Sequence, residues 1–521
     1  MPNACATAWA GRSTMMTTPE PLPPAVQPVP PADATAAERR LHPMSWLFVL
    51  LQQLKQFILP LFVLLVFGRG DRNELWPLIG VGVLVLLSLW QYFTYRYGVA
   101  GDHLVVRSGL LERSLRVIPF ARIHNVALQQ SMLHRLFGVA EVRLESAGGR
   151  KPEAEMRVLR LDDALALEAL VRRRGATAVA GEPTTEPAGA LLLAMPPGEV
   201  LRLGLVSNRG MIVVGAAAAA VSQASPRALP NTFEIVSKWM FGYAGSHDFG
   251  MVHYVAAGLT LAALVVVALR LFSILLALLQ YYGFHLSEIG RRLTVERGLL
   301  ARWRTSASRR RIQAWTLREG VLHRWLKRRS LEIDTAVAED GQQQRALREL
   351  APIATPQACD DLITHLLPRA GWSQLQWQPL PASSWWRLFL PSLPLVVIAT
   401  AALSWRFGAW GLLALAWLPW AAFKARRRAL RAAYATNDEL IAVREGWWTR
   451  HWRFAELDKL QALHLTRSPI DRRCGTATLW LDTAGAGAMS PPLRVRFLPV
   501  AEAQELYETL SRALAKRPLR W

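Results

Sequence analysis

The sequence predicts a multi-pass α-helical membrane protein with three small cytoplasmic β-barrel domains, each closed by a C-terminal helix. Three observations predict it. Hydrophobic residues make up 52% of the 521 positions and charged residues only 19%, less charge than a soluble chain of this size carries. Six apolar stretches approach the roughly 20 residues that a helix needs to cross about 30 Å of hydrocarbon. Between them, one pattern of glycines, bases and acids is written three times.

Taken in order, residues 1–42 form a tail. Its segment "PEPLPPAVQPVPPAD" (Pro19 to Asp33) is proline-rich and should be extended and disordered. No basic stretch leads directly into an apolar one there, so the tail does not read as a signal peptide. Residues 43–94 form a first transmembrane hairpin, Trp46 to Phe67 and Leu75 to Phe93, turning at "GRGDRNE". A soluble domain follows at 95–175, then a linker at 176–200. The second hairpin, 201–280, holds Leu203 to Val221 and Val252 to Leu279, joined by a longer loop from Ser222 to Gly250. A second domain occupies 281–368 and a linker 369–384. The third hairpin, 385–424, holds Leu388 to Trp405 and Trp410 to Phe423, turning at "RFG". The third domain spans 425–518.

An even number of crossings leaves the tail and all three domains on one side. The Lys/Arg excess lies there, as in "KARRRALR" (Lys424 to Arg431), which makes that side cytoplasmic. Arg209 and Arg270 fall inside apolar stretches. Both are placed where a long side chain can reach the interface, so they read as anchors.

The repeat aligns Gly109, Gly298 and Gly446 without a gap. Thirteen residues on stand Arg122, Arg311 and Lys459; at twenty-six, Arg135, Arg324 and Arg472. At thirty-six an acid recurs, Glu145, Asp334 and Asp482, then Ser146, Thr335 and Thr483. Before the glycine, "DHLVVRSG" alternates as a half-buried strand; the glycine supplies a tight turn. Ser131 or Ser468 can cap one short helical turn. "VAEVRLES" alternates again, and "DDALALEALVRRR" is an amphipathic helix with counterparts in the other two copies.

The run "DHLVVRSGLLERSLRVIPFARIHNVALQQSMLHRLFGVAEVRLESAGG" resembles the bacterial pleckstrin-homology (PH) domain of membrane proteins of the YdbS/YdbT type. Three hairpin-plus-domain units resemble the longer, YdbT-like members, and "LGLVSNRG" at the third helix fits them too. The third copy departs from the pattern, with "FAELDKLQAL" in place of "FARIHNVALQ". The resemblance implies a PH-like barrel with a terminal helix. It also implies an envelope-associated scaffold, often with a shorter membrane protein carrying a related domain as partner.

The formal net charge is +22. Nucleic-acid binding is not expected, because the bases cluster at helix ends instead of forming a stripe with interleaved aromatics. Beside a bilayer, each base attracts anionic lipid by about 1 kcal/mol. The candidate lipid or partner contacts are Arg309, Arg310 and Arg311 with Lys327, Arg328 and Arg329. The repeated acids are expected to form structural ion pairs within their own domains: Glu145 with Arg135, Asp334 with Arg324, Asp482 with Arg472. Arg122, Arg311 and Lys459 are the alternative bases. Cys5, Cys359 and Cys474 are isolated, which speaks against disulfides and zinc. No nucleophile, phosphate-loop or metal motif is found, so no catalytic residue, metal or cofactor is expected. The function read from the sequence is a non-enzymatic membrane scaffold, possible as an oligomer, that binds partners or anionic lipid; a six-helix transporter or export component is the alternative.

Overall fold

A computed structural model of the chain describes residues 39–40, 42–48, 50–51, 95–108, 114–120, 123–146, 154–177, 189–224, 251–335, 348–484 and 490–516, with isolated positions in 82–94 and 227–238. Most of the expected first hairpin, the proline-rich tail and the glycine turn at Gly109 lie outside the described residues.

In the first domain, β1 (Arg39–Arg40), β2 (Arg96–Ala100), β3 (His103–Ser108) and β4 (Ser114–Pro119) form one antiparallel sheet in that order. The strands β5 (Ile123–Gln130), β6 (Val139–Ser146) and β7 (Ala154–Arg160) form a second group. Between β5 and β6 lies α1 (Met132–Leu136), where the Ser131 hydroxyl accepts from the His134 amide. The helix α2 (Leu161–Thr177) follows β7. Period-two alternation turns Leu104, Val106 and Ile118 of the first half toward Val126, Leu128, Val142 and Leu144 of the second; Ala164, Leu167 and Val171 of α2 complete the core.

The second hairpin differs from two uninterrupted spans. After β8 (Ala190–Ala194), α3 (Pro197–Val206) and α4 (Arg209–Ala224) meet at a 51° bend around Ser207 and Asn208. Both pack on α5 (Met251–Tyr281), which contains a 27-residue apolar span, Val255–Tyr281. That span is about 40 Å at 1.5 Å per residue, enough to cross a bilayer. A Cβ on Gly210 would come within 2.3 Å of Ser273 Oγ, so only glycine permits this approach. Arg270 donates to the carbonyls of Leu205 (3.0 Å) and Ser207 (3.3 Å), satisfying the backbone groups freed by the bend. Arg209 donates to Gln280 (2.7 Å), to the Tyr281 hydroxyl and to Glu349 (2.8 Å).

The second domain repeats the first. Its first half is β9 (His285–Ile289), β10 (Arg292–Arg297) and β11 (Arg302–Ser308); its second is β12 (Ile312–Glu319), β13 (Arg329–Thr335) and β14 (Glu349–Ala354), with α6 (Val321–Trp325) and α7 (Pro356–Leu366). A short β15 (Gln378–Pro379) precedes the third hairpin, made of α8 (Trp385–Phe389), α9 (Ser392–Phe407), a 3₁₀ stretch Gly408–Ala416 and α10 (Trp417–Arg431). The apolar run Ala382–Arg431 folds back on itself, α9 lying against the 3₁₀ stretch, at Gly408 (φ 60°), the last residue of the "RFG" turn. The third domain holds β16 (Ala433–Thr436), β17 (Leu440–Glu445), β18 (Arg450–Glu456), β19 (Leu460–Thr466), α11 (Pro469–Cys474), β20 (Thr476–Thr483), β21 (Arg494–Pro499) and α12 (Val500–Lys516).

The two halves of each domain face one another across a core, and among the described residues no strand of one half pairs with a strand of the other. The second half of one domain instead joins the first half of the next. One seven-stranded sheet runs β7-β6-β5-β11-β10-β9-β8, another β14-β13-β12-β18-β17-β16-β15. The junctions have the same register. Gln130 opposes Arg302 and Leu128 opposes Arg304; at the aligned positions, Glu319 opposes Arg450 and Leu317 opposes Trp452. The second junction is also apolar: Leu440, Ala442 and Phe454 of the third domain are buried in the core of the second, where Phe454 stacks on Trp315.

Candidate functional site

Both well-described hairpins are bolted to the domain that follows. In the second, Tyr281 lies between the guanidiniums of Arg209 and Arg297, 4.5 and 4.6 Å from its ring, and Glu349 pairs with both arginines. In the third, Arg387 of α8 donates to Asp471 and to Thr476 (2.8 Å). Burial alone would push the Asp471 carboxyl up; hydrogen bonds from Ser468, Arg387 and Thr476 overturn that and hold it at about 2.

Where α10 leaves its apolar stretch, the third domain meets it through the turn after Gly446. This glycine has φ 89°, and a Cβ would stand 2.0 Å from the Thr449 carbonyl oxygen. The turn carries Trp447 and Trp448 onto Trp420 and Phe423 of α10, with ring centroids 5.3 to 6.4 Å apart. Gly298 is built alike, and the Leu299 amide following it donates to Leu279 near the end of α5.

Beside the tryptophans lies a group of arginines. Arg324 comes from α6, Arg431 from the end of α10, Arg444 from β17 and Arg450 from β18. The charges that act most strongly on Arg431 include three cations, Arg450, Arg444 and Arg324, and the Glu319 carboxylate. Arg450 reaches Glu319 at 3.2 Å, and Arg324 donates to the Trp448 carbonyl at 3.2 Å. Arg431 lies over the Trp452 ring and Arg444 over Trp377, at 5.4 and 5.1 Å. Burial lowers the Arg444 guanidinium from its usual value. A group of guanidiniums, two of them over indole rings, suits a planar or tetrahedral oxyanion.

The bases expected from the sequence are divided. Arg309 bonds Glu288 at 2.7 Å, and Arg328 bonds Glu199 at 2.9 and 2.7 Å. Arg329 lies 3.7 Å from Glu319 and 3.6 Å from Asp360. Arg310 and Lys327 are exposed, and Arg311 is half-buried in the 3₁₀ turn just before β12. Arg431, Arg444 and Arg450 were not among the candidates. The available signal was "REGWWTR", two tryptophans set between arginines at a glycine turn.

The repeated acids and bases take unexpected partners. Asp334 pairs with Arg453 of the next domain at 2.6 Å and lies 3.8 Å from Arg348. Among the described residues no ion pair joins Arg324 to Asp334 or Arg472 to Asp482. Arg135 donates to the Leu299 carbonyl at 2.8 Å, also in the next domain, as Arg324 does to Trp448. Glu145 sits in β6 opposite Asn125; its side chain and Arg122 lie outside the described residues. Sequence alignment placed these groups in one repeat because it carries no information on which repeat they face.

Three segments, 49–175, 242–366 and 388–514, match the family model described as Bacterial PH domain. Each includes apolar sequence ahead of its strands. The chain is 22% identical over 404 residues to "UPF0699 transmembrane protein YdbT" of Bacillus subtilis (strain 168), covering 73% of this chain and 79% of that protein. No solved structure matches.

Proposed function

The chain belongs to the bacterial PH-domain family, as a YdbT-like membrane protein with three repeats, and on that premise we propose that it is a non-enzymatic scaffold that holds anionic lipid beside the membrane. Its three hairpins anchor it in a bacterial inner membrane, with the tail and the domains in the cytoplasm. The arginines Arg324, Arg431, Arg444 and Arg450 take the lipid phosphate, and Trp420, Trp447 and Trp448 sit at headgroup depth. The observation that carries this reading is the excess of guanidinium over carboxylate next to exposed indoles, where α10 leaves its apolar segment. Aromatic rings favour that level of a bilayer, and cations there gain from the negative leaflet. The engagement of Arg209 and Arg270 by Glu349 and by helix-end carbonyls supports anchoring over a transport path.

Tryptophan quenching tests it. The full chain is reconstituted with brominated phosphatidylglycerol or brominated phosphatidylcholine. The anionic lipid should quench at lower mole fraction. The double change Arg431→Gln and Arg444→Gln should remove about 2 kcal/mol, on the order of thirtyfold in relative affinity. Equal quenching by the two lipids in the unaltered protein would refute the proposal.

A further inference from the structure

Among the described residues, two strand edges that correspond to those joining neighbouring repeats carry no paired strand. The first-domain group ends at β4 and the third-domain group begins at β19, and each is the terminal strand of its sheet among the described residues. In alignment, β4 corresponds to β11 and β18, while β19 corresponds to β5 and β12. The four corresponding strands all pair across a junction. We infer that β19 of one chain pairs antiparallel with β4 of a second copy, extending the repeat-to-repeat sheet from molecule to molecule.

Carrying the common register over sets Thr466 opposite Ser114, Leu465 opposite Leu115, and Leu463 opposite Val117. The burial pattern fits. Leu465 occupies the position of Leu128 and Leu317, which are 6% and 0% exposed in their paired strands, yet Leu465 is only half-buried. Leu115 is 47% exposed, whereas its counterparts Arg304 and Trp452 are half-buried.

Charge gives an independent match. The buried Asp334–Arg453 pair closes the junction between the second and third domains. The residue aligned with Asp334 in the third domain is Asp482; the residue aligned with Arg453 in the first is Arg116. Both are exposed. Docking the two half-sheets in the shared register brings this acid and this base together, so the chain carries both sides of the contact.

The repeated arginine agrees. Arg135 and Arg324 each donate to a backbone carbonyl of the following half-sheet. The third of the series, Arg472, is exposed and makes no side-chain hydrogen bond or ion pair among the described residues. The contact uses different surfaces on the two copies, so it is heterologous and builds a ring or an open row. All copies would share one orientation in the membrane.

Directly opposed residues in an antiparallel pair have Cα atoms about 4.5 to 5.5 Å apart, within disulfide reach. The test uses full-length chains with Cys5, Cys359 and Cys474 changed to alanine. One tagged population carries Leu465→Cys, the other Leu115→Cys, and both are reconstituted together and oxidised. A disulfide heterodimer is expected, with little product when Val99→Cys on β2 replaces Leu115→Cys. Asp482→Arg alone should weaken assembly at least tenfold in single-molecule mass measurements, and Arg116→Asp in the same chain should restore it. Both positions are on the surface, so the monomer fold should survive. Chains that stay monomeric at every concentration, or that crosslink equally at Val99, would overturn the inference. So would capture of Leu465→Cys in native membranes by a different protein only.

Discussion

Asp471 is the residue on which the third hairpin turns. It accepts from the Ser468 amide (2.9 Å), from Thr476 (2.8 Å) and from Arg387 of α8. A carboxyl held at about 2 in the folded chain and near 3.9 when unfolded contributes about 2 kcal/mol. Because the folded value is the lower, that contribution is complete above pH 4 and is lost as pH falls through 2. Asp471→Asn should therefore lower stability by about 2 kcal/mol at pH 7 and by little at pH 2, read from denaturant unfolding at both. Part of this site was legible: Ser468 was expected to cap a helical turn, and it forms a capping box with Asp471. The role of Arg387 was not, since it is eighty-four residues from Asp471 and nothing local links them. The same limit applies to Asp334. Its recurrence marked an ion pair, but the partner Arg453 belongs to the next copy.

Among elements, the turns after Gly298 and Gly446 couple the second and third domains to the apolar helices that precede them. Gly446→Ala would place a Cβ against the Thr449 carbonyl at a backbone angle that disfavours side chains. A loss of at least about 2 kcal/mol is expected. The emission of Trp447 and Trp448 should shift to longer wavelength as they leave Trp420 and Phe423; thermal unfolding followed by fluorescence reads both. The strands on either side were legible from alternation, and the glycine from its recurrence. The bend at Ser207 and Asn208 was less so. "LGLVSNRG" marked the start of a span, but the break depends on Arg270 from a distant helix supplying donors to the freed carbonyls.

At the scale of the molecule, three copies were legible and the sharing of sheets between them was not. Self-similarity counts units; it does not say which edge of a unit meets which. The core assignments make the sharing testable. Phe454 belongs by sequence to the third domain, yet it is fully buried in the core of the second, beside Trp315 and Trp372. Phe454→Ala should cost roughly 3 to 5 kcal/mol. It should raise hydrogen exchange in β12, β13 and β14 as much as in β17 and β18. Exchange increased in the third domain alone would mean the copies fold independently.

Because the second half of the first domain and of the second is completed by the repeat that comes after it, chain length in such proteins is quantised. Deleting one whole hairpin-and-domain unit lets the remaining strands rejoin in the old alignment. Ending the polypeptide inside a unit strands half of one, with its apolar face bare to solvent. Viable natural or engineered variants should differ from this chain by entire modules, and their ends should fall at the same point in the cycle.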